Sequence, residues 1–511
     1  MKKSNLRTGG AARVLLAAVA LIIALSACGN PAMKEVLRPL SEDEEEAGGA
    51  AGPAYLITFS FGEGGGTAPA PRTAAAGTAI VLPGIGAMTA PNGRPVLTGW
   101  HNGAALYRPG AAYTVFYPVT LTARWDSVAN ALAAAIAAAA LAGKDGNSAA
   151  NAVPLTIAID LGTMPGTAWQ DLLTAIATAN KYVALDLSAC GITGDFDPGS
   201  ANTGEPLITA LTLPGAATGI TGSFYYFTAL TEIHGSNVDS IGLVAFYGCT
   251  SLTTVYLPAA TSIGDSAFSG CSALTTANLP QAASIGDGAF YNCTGLTTVN
   301  LPAATSIGDS AFSGCSALTT VNLPAATSIG TNAFDGCSGL TSVYLPEATS
   351  IGSQAFYECT SLTTVYLPKA TSIGTNAFYG CTGLTTVNLP AATSIGERAF
   401  ENCTGLTTVN LPAATSIGDS AFRNTGTTAL TVTLGAAPPT VGTNMFLNVN
   451  STKNVTVKRP ASGATAYGPS PTNTTDNNWG NAFRGRGWTS PGGPYGTGTV
   501  NGNINLTIQG L

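Results

Sequence analysis

Residues 249–424 repeat one 22-residue unit eight times, and that period constrains the fold more than any other feature of the chain. The unit reads CTSLTTVYLPAATSIGDSAFSG from Cys249 and restarts at Cys271, Cys293, Cys315, Cys337, Cys359, Cys381 and Cys403. Leu holds the fourth position of every copy, from Leu252 to Leu406. Ile-Gly holds the fifteenth and sixteenth, from Ile263-Gly264 to Ile417-Gly418, and Ala-Phe stands near the end, from Ala267-Phe268 to Ala421-Phe422. A fixed period of about 20–50 residues marks a solenoid, whose units bury their apolar faces only against each other.

The spacing inside a unit predicts its path. Leu252, Val255 and Leu257 predict a short strand with Val255 and Leu257 on one face and Thr254 and Tyr256 on the other. Pro258 ends the strand because it has no N–H for a ladder bond. Ser262-Ile263-Gly264 is expected to turn the chain with Ile263 inward. Asp265 to Phe268 is expected to form a short helical or 3₁₀ turn that carries Phe268 into the core. Burying one aliphatic or aromatic side chain is worth about 1.5–3 kcal/mol, so stacked copies make a large one-dimensional core. At about 4.8 Å per strand, the copies form a ladder about 40 Å long.

The pattern L-x-x-V-x-L-P-x-A-T-S-I-G-x-x-A-F-x-x-C, as in Leu362 to Cys381, resembles the BspA-like leucine-rich repeat family. The resemblance implies a right-handed solenoid on a bacterial surface protein, often an adhesin. The expected fold class is therefore mainly β: a right-handed leucine-rich repeat solenoid of 22-residue coils, preceded by a small β-grasp-like module and an α/β cap.

At 511 residues the chain exceeds one ordinary core, so several modules are expected. Only 9% of residues are charged and the net charge is −7, which excludes the clustered basic surface that nucleic acid needs. A hydrophobic content of 45% excludes a disordered chain. Residues 1–28 read as a targeting segment: Lys2, Lys3, Arg7 and Arg13 precede an apolar stretch, Val14 to Leu25, too short for an ordinary span. Leu25-Ser26-Ala27-Cys28 resembles a bacterial lipobox, which implies cleavage before Cys28 and lipidation of its thiol. Acyl chains there would anchor the protein without spanning the membrane. A plain signal peptide cleaved nearby is the alternative. Residues 29–54 carry Glu42-Asp43-Glu44-Glu45-Glu46 and read as a solvated acidic tether, since like charges repel.

Residues 55–126 read as a small β module. Its strands begin at Tyr55-Leu56-Ile57-Thr58-Phe59, Thr78 to Leu82, Tyr113 to Phe116 and Val119 to Trp125. Gly99-Trp100 and Ala123-Arg124-Trp125 give it a resemblance to the β-grasp-like Listeria–Bacteroides repeat. Gly64-Gly65-Gly66 is a turn, because no Gly-Lys-Ser/Thr follows it. Trp100 and Trp125 read as core residues ahead of sugar-stacking ones.

Residues 127–190 are expected to cap the first coil. The segment holds an Ala-rich helix over Val128 to Leu141, with Val128, Leu132 and Ile136 in line. A strand over Leu155 to Leu161 follows. A helix is expected to start at Thr167-Ala168-Trp169-Gln170 with capping-box spacing and to place Trp169, Leu172, Leu173 and Ile176 on one face. Tyr182 to Leu187 is the next strand. Residues 191–248 read as irregular early coils and residues 425–459 as degenerate final ones. Residues 460–511 form a Gly-, Asn- and Pro-rich segment, punctuated by Trp479, Phe483 and Trp488, with a final strand or cap over Asn503 to Gln509. Arg484-Gly485-Arg486-Gly487 is a weak nucleic-acid cue in an acidic protein.

No catalytic, metal or cofactor site is expected. The repeat cysteines lie 22 residues apart, against the short spacing of metal ligands. Disulfides between neighbouring coils would need Cβ vectors that a parallel stack does not offer. The cysteines therefore read as small buried fillers. His101 and His234 fall in different modules, as surface or turn residues, with no nucleophile to serve. Asp265, Asp287 and Asp309 share a slot that elsewhere holds Thr331, Ser353, Thr375, Glu397 and Asp419, as a variable exposed turn does.

The sharper feature is the outward strand position: Tyr256, Asn278, Asn300, Asn322, Tyr344, Tyr366, Asn388 and Asn410, beside a Thr/Ser column that starts at Thr254. Tyr brings apolar area with a polar tip, and Asn brings both donor and acceptor. The column reads either as a binding face or as a ladder that holds neighbouring strands together. Three functions follow. The first is a non-enzymatic, lipid-anchored protein at the bacterial outer membrane or cell surface. It would bind host extracellular-matrix or partner-cell protein or glycan. The second is an envelope spacer without a specific ligand, and the third is a glycan-acting enzyme. A periplasm-facing orientation is the alternative placement.

Overall fold

Three short backbone segments per coil bond to the coils on either side, and this three-way bonding builds the protein. The computed structural model describes residues 119–163, 166–199 and 207–426 without interruption, and parts of residues 54–114. Beyond 426 it describes 429–435, 437, 439–442, 444–446, 453–459, 497–500 and 504–510. The targeting segment, Cys28, almost all of the acidic tether, and residues 460–496 with Trp479, Phe483, Trp488 and Arg484 to Gly487 lie outside the described residues. Among the described residues, no helix is long and apolar enough to cross a membrane.

The first side of a coil is the expected strand. Thr254–Tyr256 pairs in parallel with Glu232–His234, so that Ile233 faces Val255 and His234 faces Tyr256. The same register recurs in later coils, as in Thr298 to Thr320 and Asn300 to Asn322. Strands of this side run from Val153–Thr156 through Val183–Asp186, Ile208–Thr212 and Glu232–His234 into the repeats. The ladder is interrupted twice, between Thr254–Tyr256 and Thr276–Asn278 and between Thr364–Tyr366 and Thr386–Asn388.

The second side revises an expectation. Ser262–Ile263 is a short strand rather than a simple turn. It belongs to an 11-stranded parallel sheet that runs from Gly219–Ile220 to Thr440–Val441. The reason lies at the next residue: the Gly264 amide donates to the Ile241 carbonyl at 2.7 Å. A Cβ on Gly264 would sit 2.6 Å from the backbone of Gly242, so only glycine permits this approach.

The third side, the turn wall, is also not helical. The amides of Ser266, Phe268 and Gly270 donate to the carbonyls of Asp287, Ala289 and Tyr291 in the next coil, each at 2.7 Å. A helical turn would keep those bonds inside the coil. Ser266 (φ 53°) and Gly270 (φ 75°) adopt left-handed backbone, which points these amides out of the coil.

Inside, the three sides and their corners contribute apolar columns. Leu252, Leu257, Ile263 and Phe268 are all buried, as are their counterparts in the other coils. The phenylalanines form a continuous stack from Phe196 to Phe446. Ring centroids from Phe224 to Phe400 are 5.1–5.2 Å apart with near-parallel planes. The stack extends below the recognisable repeats, because Phe196 and Phe224 are 5.8 Å apart. Residues 207–248 continue the stack as coils, with a register shift where Ile208–Thr212 joins Val183–Asp186 and a 21-residue step from Gly219 to Ser240.

The cap closes this stack. Helix α1, Val128–Leu141, buries Val128, Leu132, Ala135 and Ala139, and helix α2, Thr167–Ala179, buries Trp169, Leu172, Leu173 and Ile176. Trp169 meets Phe196 edge-on at 5.4 Å, and its indole N–H donates to Pro198 at 3.0 Å. The expected capping box is absent: Gly166 is the N-cap, without a side-chain hydrogen bond, and Thr167 is already helical. The single strand expected over Leu155 to Leu161 is two, Val153–Thr156 and Asp160–Thr163, in different sheets.

The N-terminal module has a five-stranded sheet ordered Arg72–Ala75, Ala54–Ser60, Val119–Asp126, Val96–His101, Leu106–Tyr107. Trp100 is fully buried against Phe59 and donates to Pro83 at 2.7 Å, so it is a core residue. The side chain of Trp125 lies outside the described residues. The Leu97 amide bonds to Ala158 at 2.6 Å, and Val96 bridges Ile159, which joins this sheet directly to the cap. At the other end, Lys453–Arg459 pairs with Ile504–Gly510, and Thr497–Val500 finishes the sheet antiparallel.

Candidate ligand-binding face

The strand side places the expected column on one exposed surface. Val255 and its counterparts face inward, so the residues on either side of them face out. Tyr256, Tyr344 and Tyr366 are 57%, 56% and 47% exposed. His234 heads the same column. It is a strand residue rather than a turn residue, with its ring 6.0 Å from that of Tyr256 and Nε2 3.4 Å from Glu232. Sequence reading took it for a surface or turn residue although its coil carries Leu230, Ile233, Ile241-Gly242 and Ala245-Phe246, because Phe227 and Gly235-Ser236 stand where the repeats have Cys and Leu-Pro.

The two residue types on this face behave differently. The asparagines bond to each other: Asn300 Nδ2 donates to Asn278 Oδ1 at 2.8 Å, Asn322 to Asn300 at 2.9 Å, and Asn410 to Asn388 at 2.7 Å. Tyr344 and Tyr366 stack, with centroids 4.9 Å apart and planes 7° from parallel. Parallel rings that close must lie face to face, so the pair offers ring edges, hydroxyls and its two outer faces to a partner. Beside it, the exposed pair Lys369–Glu347 closes at 2.6 Å between the same two coils.

The threonines that bond between coils are not those of the outward column. Thr253 Oγ1 donates to the Thr231 carbonyl at 3.0 Å, and Thr261 Oγ1 to Asp239 at 3.0 Å. The pattern repeats in later coils, for example at Thr319 and Thr371. Two threonine spines thus stitch the stack. The near-invariance of both positions within the repeat was the available signal.

Asp265, Asp287 and Asp309 have a structural task. Each accepts the backbone amide of the same position one coil on, at 2.9, 2.7 and 2.6 Å. Among the described residues, all nine cysteines are free and buried. Each repeat thiol donates to a phenylalanine carbonyl of the coil before it, as Cys293 does to Phe268 at 3.1 Å and Cys403 to Phe378 at 3.0 Å. Burial pushes up the thiols of Cys190 and of the repeats from Cys271 to Cys403, those of Cys190 and Cys315 to about 12. A neutral, inward thiol is neither a nucleophile nor a ready metal ligand. Among the described residues, no group of three or more His, Cys, Asp or Glu is placed to hold a metal ion.

The turn wall carries a second set of aromatics that the sequence reading did not single out. Tyr357 and Tyr379 stack at 4.8 Å, and Tyr225 and Tyr247 at 5.0 Å. They share the twenty-first position with Ser269, Ser313, Asp335, Glu401 and Arg423. The position is mixed: Ser269, Ser313 and Glu401 are buried there, whereas Tyr225 and Tyr291 are exposed. Its inward neighbour is always Phe from Phe224 to Phe422.

Residues 218–341 and 327–453 match the family model described as BspA type leucine rich repeat region (6 copies). Among solved structures, the chain is similar to a leucine-rich repeat protein from Bacteroides ovatus, at 25% identity over 53% of this chain and 83% of that one, with a TM-score of 0.33. It is also similar to a leucine-rich cell surface protein from Faecalibacterium prausnitzii, at 24% identity over 64% and 93%, with a TM-score of 0.30. A leucine-rich repeat protein from Eubacterium ventriosum matches at 20% identity over 49% and 90%, with a TM-score of 0.26. No curated protein matches the chain. The two matches to the BspA-type leucine-rich repeat model together span residues 218–453.

Proposed function

We propose that the protein is a non-enzymatic adhesin of the bacterial surface, lipid-anchored through Cys28, whose strand face binds a matrix or partner-cell macromolecule. The observation that carries this reading is the exposure of Tyr256, Tyr344 and Tyr366 at one repeated strand position, with Tyr344 paired to Tyr366. Large aromatics cost free energy in water and are enriched where partners dock. The asparagine runs between them frame the face and are largely occupied with each other. A spacer role without a ligand is the second reading, and that mutual bonding favours it.

Replacing Tyr256, Tyr344 and Tyr366 together by Ser separates the two. The adhesin reading expects binding to immobilised matrix proteins or glycans to fall by at least about tenfold, with the melting temperature nearly unchanged because the three side chains are exposed. Unchanged binding would leave the spacer. Labelled palmitate incorporated by the wild type and lost in Cys28→Ala tests the anchor, and protease digestion of the repeats on intact cells tests the surface placement.

A further inference from the structure

Residues 337–358 and 359–380 are consecutive coils whose solvent positions match each other. Both carry Tyr at the outward strand position, as Tyr344 and Tyr366, and at the twenty-first position, as Tyr357 and Tyr379. At the eleventh they carry Glu347 and Lys369, which pair at 2.6 Å. The coils on either side hold Asn322 and Asn388 at the strand position instead.

The strand-side tyrosines combine proximity with access. Tyr344 and Tyr366 are direct partners in the parallel ladder. Their centroids are 4.9 Å apart with planes 7° from parallel, and the residues are 56% and 47% exposed. Equal positions in a parallel ladder put equivalent atoms one strand spacing apart, about 4.8 Å. The carbon beside each hydroxyl therefore lies next to its counterpart on the other ring. Side chains this exposed change rotamer rapidly, which lets the two carbons meet. The turn-wall pair, Tyr357 and Tyr379, is as close, at 4.8 Å, but both rings are half-buried. Among the described residues every cysteine is a free, buried thiol, so no disulfide ties these coils.

We propose that Tyr344 and Tyr366 are an oxidative cross-linking site, where a haem peroxidase using hydrogen peroxide joins the two rings as dityrosine and staples one coil to the next. Each phenol gives up one electron and one proton and becomes a phenoxyl radical. The two radicals couple through the carbon next to each hydroxyl, forming one C–C bond. Each of those carbons then releases its hydrogen as a proton while its ring oxygen regains one, which restores both aromatic rings. One hydrogen peroxide takes up the two electrons and two protons and leaves as two waters. The new bond restricts the unfolded chain as any covalent cross-link does, and so raises stability. The site stands whether or not the strand face binds a ligand.

The test treats the full chain, at low protein concentration, with a haem peroxidase and hydrogen peroxide. Dityrosine is read by its fluorescence and located by mass spectrometry. Cleavage after Glu347 and Glu358 places Tyr344, Tyr357 and Tyr366 on separate peptides, and fragmentation assigns the tyrosine within each. The expected product is a monomer, lighter by two hydrogens, in which the peptides bearing Tyr344 and Tyr366 are joined. Tyr344→Phe and Tyr366→Phe keep a ring in the stack, so they should fold normally and lose this product. Tyr357→Phe should retain it. The cross-linked wild type should unfold at higher urea than the untreated chain, a shift absent from treated Tyr366→Phe. The proposal falls if the monomer holds no dityrosine, if the bond joins two chains, or if it forms first between Tyr357 and Tyr379. It also falls if Tyr366→Phe gives the same product, or if the joined chain unfolds at the same urea as the untreated one. The triple Ser variant tests ligand binding without any oxidant, so this site and the adhesin face can each fail alone.

Discussion

Raising the pH should unfold the solenoid abruptly, because its core is lined with protonated thiols. Burial holds Cys190, Cys271, Cys293, Cys315, Cys337, Cys359, Cys381 and Cys403 above the ordinary value of 9.0, with Cys190 and Cys315 at about 12. In the unfolded chain the same thiols release their protons near 9.0. The folded state therefore binds more protons between 9.0 and about 12. Its stability is fully present below pH 9.0 and is lost as the pH rises through that window. Each thiol contributes a slope of about 1.4 kcal/mol per pH unit, and the eight together about 11, comparable with the whole stability of a domain. Deprotonation inside the fold offers no escape, since the Cys293 thiolate would face the Phe268 carbonyl to which its thiol now donates at 3.1 Å. Urea unfolding followed by circular dichroism, under reductant and from about pH 7 to about pH 10, measures the slope. Replacing Cys293, Cys315, Cys337 and Cys359 by Ala lowers stability at every pH but should roughly halve the alkaline slope. Midpoints that stay flat to about pH 10, or an equal slope in the variant, would refute the reasoning.

Two substitutions test the stack itself. Phe334→Ala removes a buried ring between Phe312 and Phe356 and should cost about 3–5 kcal/mol, dividing urea unfolding into two steps. Phe446→Ala, at the loose end where the ring spacing widens to 6.0 Å, should cost less and leave one step. Gly330→Ala would drive a Cβ to 2.7 Å from the Gly308 backbone. It should cost about 1–3 kcal/mol by the same assay, and a neutral result would contradict the close approach of the coils.

The sequence showed most clearly what the repeat enforces by burial. Leu252, Val255, Ile263 and Phe268 recur because each faces a copy of itself, and the inward path followed directly from them. Backbone bonding between coils was less legible. Ser262–Ile263 is too short to read as a strand from its pattern, and Ser266 carries no mark of its left-handed φ. The cap helix was legible in Trp169, Leu172, Leu173 and Ile176, but its start was not, because Thr167-x-x-Gln170 mimics a cap that Gly166 supplies instead. On the binding face, Tyr256 and Tyr344 were legible as outward residues through the period-two strand rule. His234 was not, because Phe227 and Gly235-Ser236 replace the Cys and Leu-Pro that bracket the strand in the later copies.

The turn wall gives the solenoid a direction. From each coil, amides such as those of Ser266, Phe268 and Gly270 reach only forward, so one end of the wall presents donors and the other acceptors. A whole unit can be added or removed without leaving any of these groups unmet, whereas a fraction of a unit cannot. Copy number is thus a free variable of the architecture, and so is the separation of Tyr256 from Tyr344, now set by the coils between them at about 4.8 Å each. Lengthening or shortening the chain by single units would move these two contact points apart or together like marks on a ruler, without redesigning either.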